Sequence, residues 1–226
     1  MKNPENVKIL FNNLAKNYDF FNHVISLGMQ SRVKKNCLKL LKISNGFKIL
    51  DICTGTGDLA LYLNKINPNT NVVGIDFSDK MLQEANKKKK NNKNIQFLIA
   101  DGRELPFEDN TFDVITIGFG LRNIENYERV IDEIKRVLKP QGQVLNIDFS
   151  CDDGFFNSVF DMLTRISTIF SSEKSAYDYL ITSKKSFLNT SELISLFRRK
   201  EYIFLQRKYY AFKVIAVELF RNNKKS

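Results

Sequence analysis

Three aspartates and a pair of glycines are spaced to grip a small cationic ligand. In Asp51-Ile52-Cys53-Thr54-Gly55-Thr56-Gly57-Asp58-Leu59-Ala60, Gly55 and Gly57 let the backbone approach a ligand closely and turn straight into a helix, whose free N–H groups face that ligand. Taken literally, Gly55-x-Gly57-x-x-Ala60 also meets the dinucleotide fingerprint, which alone is weak evidence. The acidic residues discriminate. Asp51 and Asp58 would crowd negative charge where a pyrophosphate must lie, at a Coulomb cost in a poorly solvated cleft. S-adenosylmethionine carries no phosphate; its sulfonium and α-ammonium are cations that carboxylates favour. Asp76 ends a second apolar run, where doubly wound folds grip a ribose diol. Asp101-Gly102 ends a third, where an adenine amine could donate to the carboxylate. Three strands ending in Asp at one edge are more specific than one glycine loop, the alternative being that each Asp independently caps a helix. The pattern favours S-adenosylmethionine over NAD and calls for no metal.

The elements that must position these residues follow from periodicity. Short apolar runs at 47–52, 71–75, 94–100, 111–117 and 143–149 read as buried strands, with the final two strands near 202–207 and 211–220. Amphipathic stretches at 58–67, after Ser78 and at 127–138 read as helices, the last stopped by Pro140 and a Gly142 turn. This alternation predicts an α/β fold in one domain over 1–226, a parallel sheet with helices on both faces and ligands at the carboxyl ends of the strands. Segments 1–41 and 152–197 fall outside the rhythm and are expected as helical lids. Phe155, Phe156, Val159, Phe160, Leu163, Ile166, Ile169 and Phe170 form one apolar face, either core packing or a wall for a lipophilic substrate.

Composition limits the partners. The 226 residues carry 35 Lys+Arg against 25 Asp+Glu, a formal net charge of +10, with 43% hydrophobic residues, so global disorder is excluded. Cys37, Cys53 and Cys151 are odd in number and far apart, which argues against a disulfide framework or a cysteine zinc site. No run reaches the roughly 18 apolar residues of a membrane span, and the start of the chain has no basic-then-apolar signal. A cytoplasmic protein is expected, peripheral at the inner membrane face if it touches a bilayer. The densest basic run, Lys87-Lys88-Lys89-Lys90-Asn91-Asn92-Lys93, lacks interleaved aromatics. It reads as a solvated helix end, so nucleic acid is not expected as a partner.

With these residues in view, the chain resembles the ubiquinone/menaquinone biosynthesis C-methyltransferase family almost end to end. Tyr18-Asp19-Phe20-Phe21-Asn22 with Ser26-Leu27-Gly28 is similar to its N-terminal signature, and Leu105-Pro106-Phe107 through Phe112-Asp113 to the segment after its third strand. Thr116-Ile117-Gly118-Phe119-Gly120-Leu121-Arg122-Asn123 resembles its fourth-strand motif, Arg136-Val137-Leu138-Lys139-Pro140 its second signature, and Tyr177-Asp178-Tyr179-Leu180 with Ser183 its substrate-side helix. Departures occur at Gln30 and Val33, where the family has His and Trp, and at Gln141 and Asp148.

The resemblance implies a Rossmann-like class I methyltransferase with a mostly parallel seven-stranded sheet and a helical lid. It further implies methylation of a ring carbon of a demethylated polyprenyl quinol: demethylmenaquinol first, a benzoquinol of the ubiquinone pathway second. A methyltransferase of another lipophilic small molecule, or a basic nucleic-acid-binding or methylating protein, is the competing class. Thr56, Asp76, Asp101 and Gly102 take the cofactor positions, with Gly118 beneath the cofactor. Arg122 either holds a quinol oxygen as its anion or pairs with Glu125 or Asp148. Tyr177 and Tyr179 either hydrogen-bond the quinol or serve as core aromatics. The lone His23 lies outside the family's histidine position. A lipophilic quinol, an anionic membrane surface and a second copy of the chain are the expected partners.

Overall fold

The computed structural model describes residues 4–19, 29–150, 179, 182–183 and 187–225. Seven strands form one sheet: β1 (Lys48–Ile52), β2 (Asn71–Asp76), β3 (Ile95–Ile99), β4 (Phe112–Gly118), β5 (Leu138–Phe149), β6 (Tyr202–Tyr210) and β7 (Ile215–Asn222). Their spatial order is β3-β2-β1-β4-β5-β7-β6. Pairing is parallel from β3 through β5, whereas β7 runs antiparallel to both its neighbours. The order reverses direction between β1 and β4, the crevice where open α/β sheets bind ligands.

Among the described residues six helices cover the sheet: α1 (Pro4–Leu14), α2 (Met29–Leu38), α3 (Asp58–Ile66), α4 (Asp79–Lys89), α5 (Tyr127–Val137) and α6 (Thr190–Arg199). Alternate residues of each strand feed opposite layers, because strand side chains have a period of two. Ile49 packs with Leu59 and Leu63 of α3; Leu50 and Ile52 pack in the opposite layer, with Val130 and Ile134 of α5. Asp51 alternates with Leu50 and Ile52, so its carboxylate is carried into the buried middle of the sheet. Ser78 caps α4 by accepting from the Met81 N–H, as its residue type and position require.

Three boundaries differ from expectation. α5 ends at Val137 and β5 starts at once: Leu138 pairs with Phe112 and Gln143 with Val114, so Lys139 through Gly142 form an irregularity within the strand. Proline is tolerated there because the bulge needs no donor at that position. β6 extends to Tyr210 and β7 begins at Ile215, since Ala211, Phe212 and Lys213 all adopt left-handed backbone angles that such residues rarely take. The second expected lid ends in α6, whose Leu193 and Phe197 lie in the core, so its last turns belong to the body of the fold. The apolar face at 155–170 and Tyr177 lie outside the described residues.

Candidate active site

The loop after β1 is shaped by two left-handed glycines. Gly55 (φ 56°) and Gly57 (φ 82°) reverse the chain into α3, and a Cβ on Gly57 would stand 2.7 Å from the Phe97 ring. The Gly55 N–H donates to Asp76 Oδ2 at 2.9 Å, tying the loop to the end of β2. The Ser78 N–H donates to the other oxygen at 2.9 Å. Burial pushes the Asp76 carboxyl up to about 6, partly offset by the N–H groups of Ser78, Gly55 and Phe77. Asp51 accepts from the hydroxyls of Thr54 and Thr116, each at 2.6 Å. It too is raised to about 6 by burial, against those two hydrogen bonds.

A cleft opens at the carboxyl ends of β1, β2, β3 and β4, enclosing about 810 Å³ with the open solvent at its mouth included. Gly55, Asp76, Asp101, Gly102 and Gly118 all line it, so five of the eight expected cofactor residues share one wall. Asp51, Thr56 and Gly57 stand behind that wall. Asp51 is fully buried between its threonines; Thr56 is 3% exposed and donates to Asp19 Oδ1 at 2.6 Å. Arg122 is likewise buried away from the wall. Its Nη1 donates to Asp148 and, at 2.8 Å, to the Phe119 carbonyl. Of the two pairings expected for Arg122, the structure realises the one with Asp148.

Several residues escaped the sequence reading. Arg103 grips Asp101 through Nε and Nη2, the latter at 2.6 Å, and holds that carboxyl below its usual range. Val7, Phe11 and Tyr18 of the N-terminal segment line the same cleft. Lys88, expected as part of a solvated run, turns inward to Thr56, Asp58 and Asp19, while Lys87 beside it keeps 68% of its side chain exposed. Burial pushes Asp58 up, but the ammonium groups of Lys34 and Lys88 hold it below the ordinary value. Asp58 therefore does not add the uncompensated negative charge expected of it. Lys34 and Lys88 stand on two other helices, 24 and 30 positions away, so only proximity in space shows this.

Val33 belongs to the core cluster with Leu59 and Phe119, so that departure from the family pattern is absorbed by packing. Tyr179 places its hydroxyl in a buried position without a hydrogen-bond partner among the described residues. Burial raises it to about 12, with the Arg122 charge acting in the opposite direction. His23 lies outside the described residues.

The cleft fits a cation. The Cys53 thiol on its wall is pushed up first by burial and then by the surrounding charges of Asp76, Asp51, Asp101 and Asp148, which marks a negative local potential. Gly118 has no room for a side chain, because its Cβ would lie 2.5 Å from Leu59 Cδ1. Among the described residues no cluster of His, Cys, Asp and Glu could hold a metal.

This Rossmann-like fold, with a cleft at the carboxyl ends of its strands, is one that S-adenosylmethionine-dependent methyltransferases share. The same architecture recurs in a SAM-dependent methyltransferase from Aquifex aeolicus (TM-score 0.64, 19% identity, 84% of this chain and 89% of that one). It recurs also in a putative S-adenosyl-L-methionine-dependent methyltransferase from Methanococcus maripaludis (TM-score 0.68, 19% identity, 95% and 94%). The sequence pattern of the ubiE/COQ5 methyltransferase family matches residues 1–220, and the chain belongs to that family. It is 35% identical to the demethylmenaquinone methyltransferase of Staphylococcus carnosus strain TM300, over 95% of this chain and 92% of the relative. The corresponding protein of Staphylococcus aureus strain JH9 is 34% identical, over 96% and 93%.

Proposed function

We propose that this methyltransferase methylates a ring carbon of a demethylated polyprenyl quinol, with demethylmenaquinol as the preferred substrate. The observation that carries the reading is the 35% identity, over nearly the whole chain, to a protein named for that reaction. The chemistry of the cleft agrees. Its carboxylates and glycine loop suit the cofactor, while Val7, Phe11, Phe119 and Ile124 offer an apolar wall.

Bound S-adenosylmethionine would supply the electrophilic methyl group. Asp76 would hold the ribose hydroxyls and Asp101, oriented by Arg103, the adenine amine; Asp51 would act through its charge from behind the loop. Arg122, paired with Asp148, would position the 118–123 turn through the Phe119 carbonyl. Tyr177 is assigned to the substrate side. Exclusion of water by the N-terminal cover favours charge neutralisation between phenolate and sulfonium.

The deciding experiment offers demethylated naphthoquinol and benzoquinol separately with S-adenosylmethionine and identifies the products by mass. A methylated naphthoquinol supports the reading; absence of methyl transfer to either overturns it. Arg122→Ala with near-normal cofactor affinity and lost turnover supports the role given to Arg122, and unchanged turnover discards it.

A further inference from the structure

Lys208-Tyr209-Tyr210-Ala211-Phe212-Lys213 places three aromatics and two lysines in six residues, and none of them is needed by the cofactor cleft. Phe212 is 70% exposed at the tip of the β6–β7 turn, and Tyr209 is 36% exposed beside it. Lys208 and Lys213 are exposed as well, and the Lys213 ammonium sits 5.9 Å from the Tyr209 ring centre. Ala211, Phe212 and Lys213 have φ of 49°, 54° and 69°; the turn closes through the Val214 N–H, which donates to the Ala211 carbonyl at 3.0 Å. Three successive left-handed residues make a tight reversal whose apex carries a phenyl ring into solvent.

The location of this turn gives it meaning. Ile215 pairs with Phe149 at the carboxyl end of β5, and the Ser150 N–H donates to Val214 at 2.8 Å. Phe149 in turn stacks obliquely on Phe119, ring centres 5.2 Å apart, and Phe119 lines the cleft. The turn thus projects from the sheet edge that carries the active site. An apolar ring flanked by two lysines has the make-up of an interfacial anchor, ring among the acyl chains and ammonium groups on anionic phosphates, while the Tyr209 hydroxyl stays bound to Arg207 at 2.7 Å.

We propose that the β6–β7 turn docks this enzyme on an anionic bilayer, with Phe212 inserted and Lys208 and Lys213 paired to headgroups, so that the cleft faces the membrane holding its substrate. The inference rests on the polyprenyl quinol reading, since a bilayer-dissolved substrate is what makes the docked orientation productive. The net charge of +10 adds long-range attraction to the same surface.

The test is co-sedimentation of the full chain with vesicles of phosphatidylcholine plus phosphatidylglycerol, and with phosphatidylcholine alone. It is accompanied by methyl transfer to a short-tailed, water-soluble demethylated quinol. The wild type should bind the anionic vesicles in a salt-sensitive way. Phe212→Ser should weaken that binding roughly 10-fold, and Lys208→Gln and Lys213→Gln about 5-fold each. All three variants should methylate the soluble quinol as the wild type does. Unchanged binding of Phe212→Ser, or equal wild-type binding to neutral and anionic vesicles, would overturn the proposal. So would a wild-type dimer that Phe212→Ser dissolves with no change in vesicle binding, since the tip would then be a contact between copies. A wild type that binds vesicles but transfers no methyl to the soluble quinol would refute the substrate reading instead.

Discussion

Thr56 donates its hydroxyl to Asp19 at 2.6 Å across 37 positions of sequence, joining the loop after β1 to the N-terminal segment. Lys88 bridges the same two residues and Asp58, Lys34 of α2 holds Asp58 at 3.1 Å, and Ser78 donates to Asn12 of α1 at 2.6 Å. The N-terminal segment is therefore fastened to α3 and α4 by ion pairs and hydrogen bonds.

Loosening these contacts should admit water and free the segment. Each partly exposed pair contributes about 0.2–1 kcal/mol, so Asp19→Asn should weaken S-adenosylmethionine binding by up to about 5-fold. Calorimetric titration at low and high salt checks it. Added salt should bring the wild type toward the variant and leave the variant little changed.

A pH dependence follows from Asp51 and Asp76, both raised from 3.8 to about 6 by burial. Between those values the native protein holds protons that the unfolded chain has released, so each group's effect on stability declines as pH rises from about 4 to about 6. The loss amounts to at most about 3 kcal/mol per group. Urea denaturation across this range should show Asp51→Asn with a flatter profile than the wild type. Cofactor affinity should run the opposite way, rising through the same window, because the cation is recognised by the ionised carboxylates.

Arg122 and Asp148 are each 3% exposed and paired. Arg122→Ala strands a buried carboxylate and should cost about 3–5 kcal/mol. Arg122→Met combined with Asp148→Leu should recover much of that loss, since neither charge is then left alone. Chemical denaturation of the single and double variants separates this structural contribution from any loss of turnover.

The glycines should respond unequally. Gly57→Ala meets both a left-handed φ of 82° and a contact of 2.7 Å to Phe97, and should destabilise the fold by about 1–3 kcal/mol. Gly102→Ala meets Ile52 at 3.3 Å with no unusual backbone angle and should melt within a few degrees of the wild type. Its effect should appear instead in cofactor affinity, as Gly102 lines the cleft.

The order of strands and helices was legible in the chain because apolar periodicity is a local property. Glycines before a helix and aspartates at strand ends were legible for the same reason: position within an element determines which edge a residue reaches. The left-handed turn at Ala211, Phe212 and Lys213 was not, since none of these residues advertises that conformation. Nor was the strand through Pro140, which depends on a register shift against β4.

The sequence by itself determined that acidic residues and glycines share one edge of an α/β sheet, the edge expected to take a cationic cofactor. Only the tertiary structure decided which of its charges stay uncompensated. Asp58 is answered by Lys34 and Lys88, 24 and 30 positions away, Asp101 by Arg103 and Arg122 by Asp148, 26 positions on. Asp51 and Asp76 are left to hydroxyls and backbone N–H groups. Ion pairing falls off with distance through space and with exposure to water, and neither is written in the spacing of residues along a chain.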